Sequence, residues 1–212
     1  MLEKVQEDRL KKLQAIRELG IDPYGGRYDT AEPAASIVAR YRDVTEGQEN
    51  DQRADAAGRI VLFRDMGKMI FAHLRDSGGQ IQIALRKNAL DEKSWQLAKL
   101  LDLGDMVAAA GPLQKTRTGE VTIWAETLTL LCKSLNPMPE KFHGLTDTET
   151  RYRQRYLDLM TNPEAMATFR KRVAILETFR ALLKQRGFSE VETPTLQALY
   201  GGAAARPFTT HH

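Results

Sequence analysis

The sequence contains a single cysteine, Cys132, among its 212 residues. One cysteine cannot form a disulfide within the chain, and low cysteine usage is typical of proteins from reducing compartments. No apolar run approaches the ~20 residues that a membrane-spanning helix requires. The acidic, amphipathic N-terminus also lacks the pattern of a secretory signal. We therefore expect a cytoplasmic protein that has no membrane partner.

The sequence also lacks the motifs of several enzyme classes. It contains no Walker A loop, no G-x-G-x-x-G fingerprint and no nucleophile elbow, so a simple NTPase or hydrolase has no support. Its four histidines do not combine with Cys or Asp at the spacing of a metal site. We therefore predict no metal site, and we expect His73 to be a surface residue rather than a metal ligand.

The composition is that of a folded protein whose charge is unevenly distributed. Charged residues make up 28% of the chain, hydrophobic residues make up 42%, and the net charge is +3. Between Arg151 and Arg186, nine Lys or Arg residues stand against three Asp or Glu residues, so the rest of the chain is acidic overall. Such a basic block is either a surface that contacts phosphate groups or the solvated face of a helix.

The N-terminal segment, residues 1–56, predicts an amphipathic helix followed by a linker. Six apolar residues between Leu2 and Leu19 recur at the spacing of one helix face. Gly20 should end this helix, because glycine adopts the left-handed cap conformation most readily. The polar, irregular pattern that follows indicates a linker with one short helix near residues 36–42.

Residues 57–140 predict a small barrel. Five short segments are rich in β-formers and are separated by turn signals: "GRIVLFRDM", "KMIFAHLRD", "QIQIALR", "DMVAAAGPL" and "EVTIWAETLTLL". The segment "DEKSWQLAKLLDL", between the third and fourth strands, has the apolar spacing of a helix. Five strands with a helix in this position are typical of the OB-fold, and a five-stranded barrel of another kind is the alternative.

Residues 141–212 predict the opening of a second domain. The segment "NPMPEKFHGLTD" marks the boundary, because two prolines two residues apart continue neither a strand nor a helix interior. A long amphipathic helix is expected from about Glu164 to Arg186, with Gly187 as its end. The segment "FSEVETPTL" then reads as a strand with no partner strand, so the chain as given shows only the start of an α+β domain.

One outer face of the barrel carries the residue types that read RNA bases. Strand alternation sends one set of side chains outward: Phe71, His73, Gln80, Gln82, Glu120, Thr122 and Trp124. A splayed base can stack on Phe71, while amide and carboxylate groups hydrogen-bond to its Watson–Crick edge. The carboxylate of Glu120 favours base reading over simple attraction to phosphates. The alternatives are an ordinary mixed surface and a Trp124 that caps the barrel instead of binding a ligand.

Several motifs together give the chain a family resemblance. The N-terminal helix, the barrel, "KFHGL", "RYRQRYLDL", "GFSEVETPTL" and "GGAAARPFTTHH" resemble the N-terminal part of bacterial-type lysyl-tRNA synthetases, a family of class II aminoacyl-tRNA synthetases. Aspartyl- and asparaginyl-tRNA synthetases share the layout of barrel and catalytic domain but not "GGAAARPF". A non-catalytic OB-fold module that grips single-stranded RNA is the other alternative.

The resemblance implies roles for particular residues. Phe71 matches the aromatic residue that stacks on an anticodon base, and Gln82 and Glu120 match the residues that contact the central uridine of the lysine anticodon. His73, on the same face, is included in this anticodon-binding set. Pro194 matches a residue of the two-fold interface of a homodimer.

The resemblance also implies substrates and cofactors. Gly201, Gly202 and Ala203 match the lysine pocket, where the absence of side chains lets the substrate approach the backbone. The whole enzyme is expected to use ATP, Mg²⁺ and L-lysine to form lysyl-adenylate, and then to transfer the lysyl group to tRNA(Lys). The phosphate-stabilising motifs of the family lie beyond position 212. No catalytic residue and no cofactor are therefore expected in this chain, and the chain alone is expected to be inactive.

Overall fold

The structure, a computed structural model, describes residues 2–42, 52–139, 145–195, 206 and 210–211. The chain divides into two compact units, Met1–Pro139 and Glu140–His212. The first unit contains both the N-terminal helix and the barrel. Each unit is described by itself below.

Six strands and three helices form the described part of the first unit. Its elements, in chain order, are α1 (Leu2–Glu18), α2 (Ala34–Tyr41), β1 (Arg53–Asp65), β2 (Met69–Arg75), β3 (Gln80–Arg86), α3 (Glu92–Leu100), β4 (Met106–Lys115), β5 (Val121–Ala125) and β6 (Thr127–Cys132). Both helices predicted in the N-terminal segment are present, and the positive φ of +68° at Gly20 follows the end of α1 as expected.

Pairing between the strands closes the sheet into a barrel. The hydrogen-bonded order is β1-β2-β3-β5-β4, and β1 also pairs with β4, which completes the circuit. All of these pairs are antiparallel except β3 with β5, which is parallel. Helix α3 lies between β3 and β4 in the chain. The predicted OB-fold, a barrel of five strands with a helix after the third, is confirmed.

The long strand β1 belongs to both sides of the barrel because it changes partner near its middle. Residues 53–59 pair with β4, and residues 59–65 pair with β2. Gly58 lies at this change, where a Cβ atom would stand 2.8 Å from the carbonyl oxygen of Arg75. The backbone of Arg75 can come this close only because position 58 carries no side chain.

The predicted last strand is two strands, and this part of the prediction is wrong. The segment "EVTIWAETLTLL" breaks at Glu126, so that β5 pairs with β3 and β4 whereas β6 pairs with β4 alone. The break lies opposite Gly111 of β4, where a Cβ atom would stand only 2.0 Å from the carbonyl oxygen of Trp124. Glycine at position 111 permits this close approach, and the chain bends at Glu126 between the two strands. Sequence periodicity does not report a backbone approach.

One apolar core fills the barrel and extends to the helices. Alternate residues of the strands point inward, and Ile60, Ile70, Ile83 and Leu113 have no exposed surface. Trp95 and Leu97 of α3, Ile16 of α1 and Ile37 of α2 join the same cluster. Complete burial of one large apolar side chain stabilises a folded protein by ~1.5–3 kcal/mol, so these side chains are a major source of the stability of the unit.

A buried ion cluster anchors α1 and the end of β6 to the α3–β4 turn. The ammonium group of Lys133 has no exposed surface and lies 2.6 Å from Asp102 Oδ2 and 2.8 Å from Asp105 Oδ2. Lys12 of α1 also contacts Asp102, at 2.6 Å. Burial alone would raise the pKa of the Asp102 carboxyl, but hydrogen bonds from Lys12 and Lys133 more than offset this and hold the pKa below its ordinary value.

Three helices form the described part of the second unit: α4 (Thr148–Arg153), α5 (Arg155–Thr161) and α6 (Pro163–Gln185). The buried carboxylate of Asp158 accepts from Arg151 and Arg155 and so links α4 to α5. Asn162 caps α6, since its side chain accepts from the backbone N–H of Glu164 at 3.1 Å. The long helix predicted from Glu164 to Arg186 is therefore confirmed.

The strand predicted after Gly187 is wrong over the residues that the structure describes. Residues 188–195 have no regular secondary structure, because a strand requires the hydrogen bonds of a partner strand, and the described part of this unit offers none. The apolar side chains of α6 are exposed, including Phe169 at 39%, Val173 at 53% and Phe179 at 60%.

Within the described ranges, no helix of either unit is long and apolar enough to span a membrane.

We predict that Lys133→Met lowers the free energy of unfolding of the first unit by about 3–5 kcal/mol, because the variant leaves the buried Asp105 carboxylate without a cation. The partly exposed Asp102 keeps its ion pair with Lys12. Both tryptophans, Trp95 and Trp124, belong to this unit, so their fluorescence follows its urea denaturation. Lys99→Met is the matched control: Lys99 pairs with Asp65 at the surface, and its loss should cost no more than about 1 kcal/mol. Equal losses in the two variants would contradict the prediction.

Candidate nucleic-acid interface

Three neighbouring strands of the barrel, β2, β3 and β5, arrange the predicted site residues in two rows. His73 lies opposite Gln82, and Gln82 lies opposite Thr122. These three residues form the polar row. Residues two positions apart on a strand share a face, so a second row runs beside it.

The second row is aromatic. Phe71 lies opposite Ala84, and Ala84 lies opposite Trp124. Because Ala84 is small, the two rings meet across it, with centroids 6.3 Å apart and ring planes at 77°. Such an edge-to-face contact is a favoured geometry for aromatic pairs. It holds the Phe71 ring against a second ring on the same face of the barrel.

Glu120, which directly precedes β5, joins the polar row through its carboxylate. Its Oε1 lies 2.6 Å from His73 Nε2, and its Oε2 accepts a hydrogen bond of 2.7 Å from Gln82 Nε2. An ionised carboxylate only accepts, so the His73 ring is assigned a proton on Nε2. The side chain of Glu120 is 43% exposed. A charged acceptor therefore stands at the surface, held by two donors.

Two members of the polar row point outward, as alternation predicts, but are not solvent-exposed. Gln82 is 8% exposed and Thr122 is fully buried. The Thr122 hydroxyl donates to Gln82 Oε1 at 2.7 Å, while Glu120 covers the amide from the other side. Burial under neighbouring polar side chains makes this row an ordered network. Sequence alternation gives the direction of a side chain but not this cover.

Sequence reasoning missed Arg86, the last residue of β3. Its guanidinium lies over the Trp124 ring at 4.7 Å from the centroid, a cation–π geometry. Trp124, whose role the sequence left open, contacts Phe71 and Arg86 on the outer face. The signal for Arg86 was present, because period-two alternation along β3 places residue 86 on the same face as residues 82 and 84.

A cavity of about 310 Å³ opens beside the polar row. Gln82 and Glu120 form part of its lining, together with Val38 of α2 and the cationic residues Arg42 and Lys115. Apolar, amide and charged groups thus converge on one concave surface. A concave surface with a few convergent polar groups is a common form of ligand site.

The remaining predicted site residues belong to the second unit. Pro194 is exposed there. Gly201, Gly202 and Ala203, the predicted lysine-binding residues, lie outside the described residues. In the part of the chain that the structure describes, no group of three or more His, Cys, Asp or Glu side chains could hold a metal ion.

Comparison with known proteins identifies the family. A model described as "OB-fold nucleic acid binding domain" matches residues 56–131, and one described as "tRNA synthetases class II (D, K and N)" matches residues 147–212. A lysine–tRNA ligase from Carboxydothermus hydrogenoformans is 47% identical over 204 residues, which cover 96% of this chain and 41% of the relative. The chain belongs to the lysine–tRNA ligase family.

Other lysine–tRNA ligases match to the same extent. The relative from Enterococcus faecalis is 48% identical over 206 residues, and the relative from Methanoculleus marisnigri is 46% identical over 205 residues. Each match covers 96% of this chain and 41% or 40% of the relative. The chain thus spans about two-fifths of the length of the lysine–tRNA ligases that it matches. The family predicted from the motifs is confirmed, and the polar and aromatic rows lie within the part matched by the OB-fold model.

Proposed function

We propose that the barrel of this chain binds the anticodon of a lysine tRNA, as part of a protein that attaches lysine to that tRNA. The observation that carries the proposal is the network of His73, Glu120 and Gln82 beside the Phe71 ring. The network supplies an ordered acceptor and donor next to a stacking surface. These are the groups that recognise a base in single-stranded RNA.

The chemistry of the network suits uridine. The Watson–Crick edge of uracil offers one donor, N3–H, between two carbonyl acceptors, and the exposed Glu120 carboxylate can accept from that donor. The Gln82 amide can donate to a neighbouring carbonyl oxygen. Cytosine presents an acceptor at N3, which a carboxylate repels. The same arrangement therefore accepts uridine and disfavours cytidine at the central anticodon position.

The remaining components of the proposal come from the family. In the whole protein, the lysine carboxylate would attack the α-phosphate of ATP, which gives lysyl-adenylate and releases pyrophosphate. The 3′-terminal ribose hydroxyl of tRNA(Lys) would then take the lysyl group and release AMP. Mg²⁺, when bound, would supply charge stabilisation at the phosphates. Gly201, Gly202 and Ala203 would face the substrate lysine, whose amino group can approach a backbone that lacks bulky side chains. The compartment that we propose is the cytoplasm.

A first test concerns the stacking surface. We expect Phe71→Ala to weaken binding of a lysine anticodon stem-loop by about 1–3 kcal/mol, which is the usual loss when a base–aromatic stack is removed. The measurement is a fluorescence titration at fixed, near-physiological salt, because affinity for RNA depends strongly on salt. Tyr24→Ala, which removes an exposed ring elsewhere in the first unit, should bind as the parent does. Unchanged binding by Phe71→Ala would count against the proposal.

A second test separates base reading from attraction to phosphates. Glu120→Gln removes a negative charge from the surface, so a site that only grips phosphates should bind RNA more tightly after the change. A base-reading site should bind the uridine stem-loop about tenfold more weakly, because the charged acceptor for N3–H is lost. Binding of the parent protein, of Glu120→Gln and of the control variant described below is measured with two stem-loops. One stem-loop has uridine at the central anticodon position and the other has cytidine there.

The control in that test is Glu126→Gln, which removes the same charge from a carboxylate that pairs with Arg53 and is not part of the network. It should leave the preference for uridine unchanged. Tighter binding by Glu120→Gln, with no preference for uridine in the parent protein, would instead identify a nonspecific single-strand binder.

We also propose that the chain forms a homodimer through its second unit, with Pro194 at the interface. Support comes from the exposed apolar side chains of α6, because a contiguous apolar surface of this kind usually marks an interaction site. A two-fold interface would present the same patch from each protomer. Burying these side chains against a second copy would remove them from water.

The dimer is tested by sedimentation of the chain over a wide range of concentrations. We expect reversible self-association that Leu176→Glu weakens at least tenfold, because a carboxylate in an apolar interface must be desolvated. Leu10→Glu is the matched control, since Leu10 of α1 is 49% exposed and Leu176 is 44% exposed. A monomeric profile at every concentration is the result that would exclude the dimer.

A further inference from the structure

We propose that Thr122 is a positioning residue, which acts through Gln82 to set the preference of the barrel for uridine. The inference rests on the proposed anticodon-binding function and deepens it. Thr122 is fully buried, so it cannot touch RNA. Its effect must pass through the side chains that it holds.

The Gln82 amide is held at both ends. Its nitrogen donates to Glu120 Oε2 at 2.7 Å, and its oxygen accepts from the Thr122 hydroxyl at 2.7 Å. The carboxylate can only accept a hydrogen bond, so the amide nitrogen must face Glu120. The amide oxygen then points into the barrel wall, where Thr122 supplies its donor. Together the two bonds fix both the position and the orientation of the amide.

The hydroxyl of Thr122 has a second acceptor within reach, the backbone oxygen of Glu120 at 3.1 Å. A hydroxyl carries one proton, and the shorter distance to Gln82 Oε1 favours the amide. The parallel register of β3 and β5 pairs Gln82 with Thr122, so no rearrangement of the backbone is needed to bring the two groups together. This bond is part of the folded barrel before any RNA binds.

Loss of the Thr122 hydroxyl would leave Gln82 Oε1 buried without a donor, and a buried unpaired acceptor is costly. The amide would then turn toward water, where its oxygen finds a partner, and its nitrogen would leave Glu120. A uracil carbonyl would meet a mobile amide instead of a fixed N–H donor, and the carboxylate would lose one of its two donors. The energetic advantage of uridine over cytidine depends on this fixed arrangement.

The test compares Thr122→Val, which keeps the shape of the side chain but lacks the hydroxyl, with Thr122→Ser, which keeps the hydroxyl. The readout is the ratio of dissociation constants for stem-loops with uridine and with cytidine at the central position. We expect Thr122→Val to reduce this ratio about tenfold, as for loss of one hydrogen bond in the network, and Thr122→Ser to keep it within about twofold. Thr129→Val, on the exposed side of β6, is the control and should keep the ratio.

A merely structural role for Thr122 would change thermal stability and would weaken both stem-loops alike, without changing the ratio. An unchanged ratio in Thr122→Val, alongside a clear preference for uridine in the parent protein, would overturn the inference. If the parent protein itself shows no preference, the proposed function fails instead, so the two failures are distinguishable.

If Thr122→Val does not fold, Thr122→Cys takes its place. Its thiol is a weak hydrogen-bond donor, so the ratio of dissociation constants should lie between that of the parent protein and one. A ratio equal to that of the parent protein would overturn the inference.

Discussion

The parallel pairing of β3 with β5 is the constraint on which the candidate site depends. It brings Gln82 beside Thr122 and Ala84 beside Trp124, although about forty residues separate the partners. The hydrogen-bonded network and the aromatic pair both span this one seam. A shift of one residue in the register would turn every side chain of a strand to the opposite face, so the amide and the carboxylate would no longer meet. The site is therefore a property of barrel closure rather than of any local motif.

Parallel neighbours need a long crossover between them, and here the crossover consists of α3 and β4. Helix α3 is fixed by its own buried side chains, whereas the turn that follows is fixed by the ion cluster of Lys133, Asp102 and Asp105. The exposed carboxylate of Glu120 can be part of an ordered network because β5, which begins directly after it, pairs with both β3 and β4.

Much of this fold could be predicted from the sequence, because alternation and turn residues report which face of a strand is buried. Phe71, His73, Gln82 and Glu120 were assigned to one face by alternation alone, and their rows follow from strand order. Three features have no such signal. The kink at Glu126 depends on a backbone approach to Gly111, the cover over Gln82 depends on side chains from another strand, and a strand after Gly187 depends on partner strands. The assignments of Pro194, Gly201, Gly202 and Ala203 remain predictions.

The ion cluster also bears on how the barrel forms during synthesis. Asp102 and Asp105 leave the ribosome before Lys133, and Asp105 is fully buried in the finished structure. Until Lys133 emerges, burial of that carboxylate has no compensating cation and is strongly unfavourable. A nascent chain that ends short of this lysine therefore lacks the cation that offsets the burial of Asp105. We therefore expect barrel formation to be a late, cooperative event that waits for the residue directly after β6.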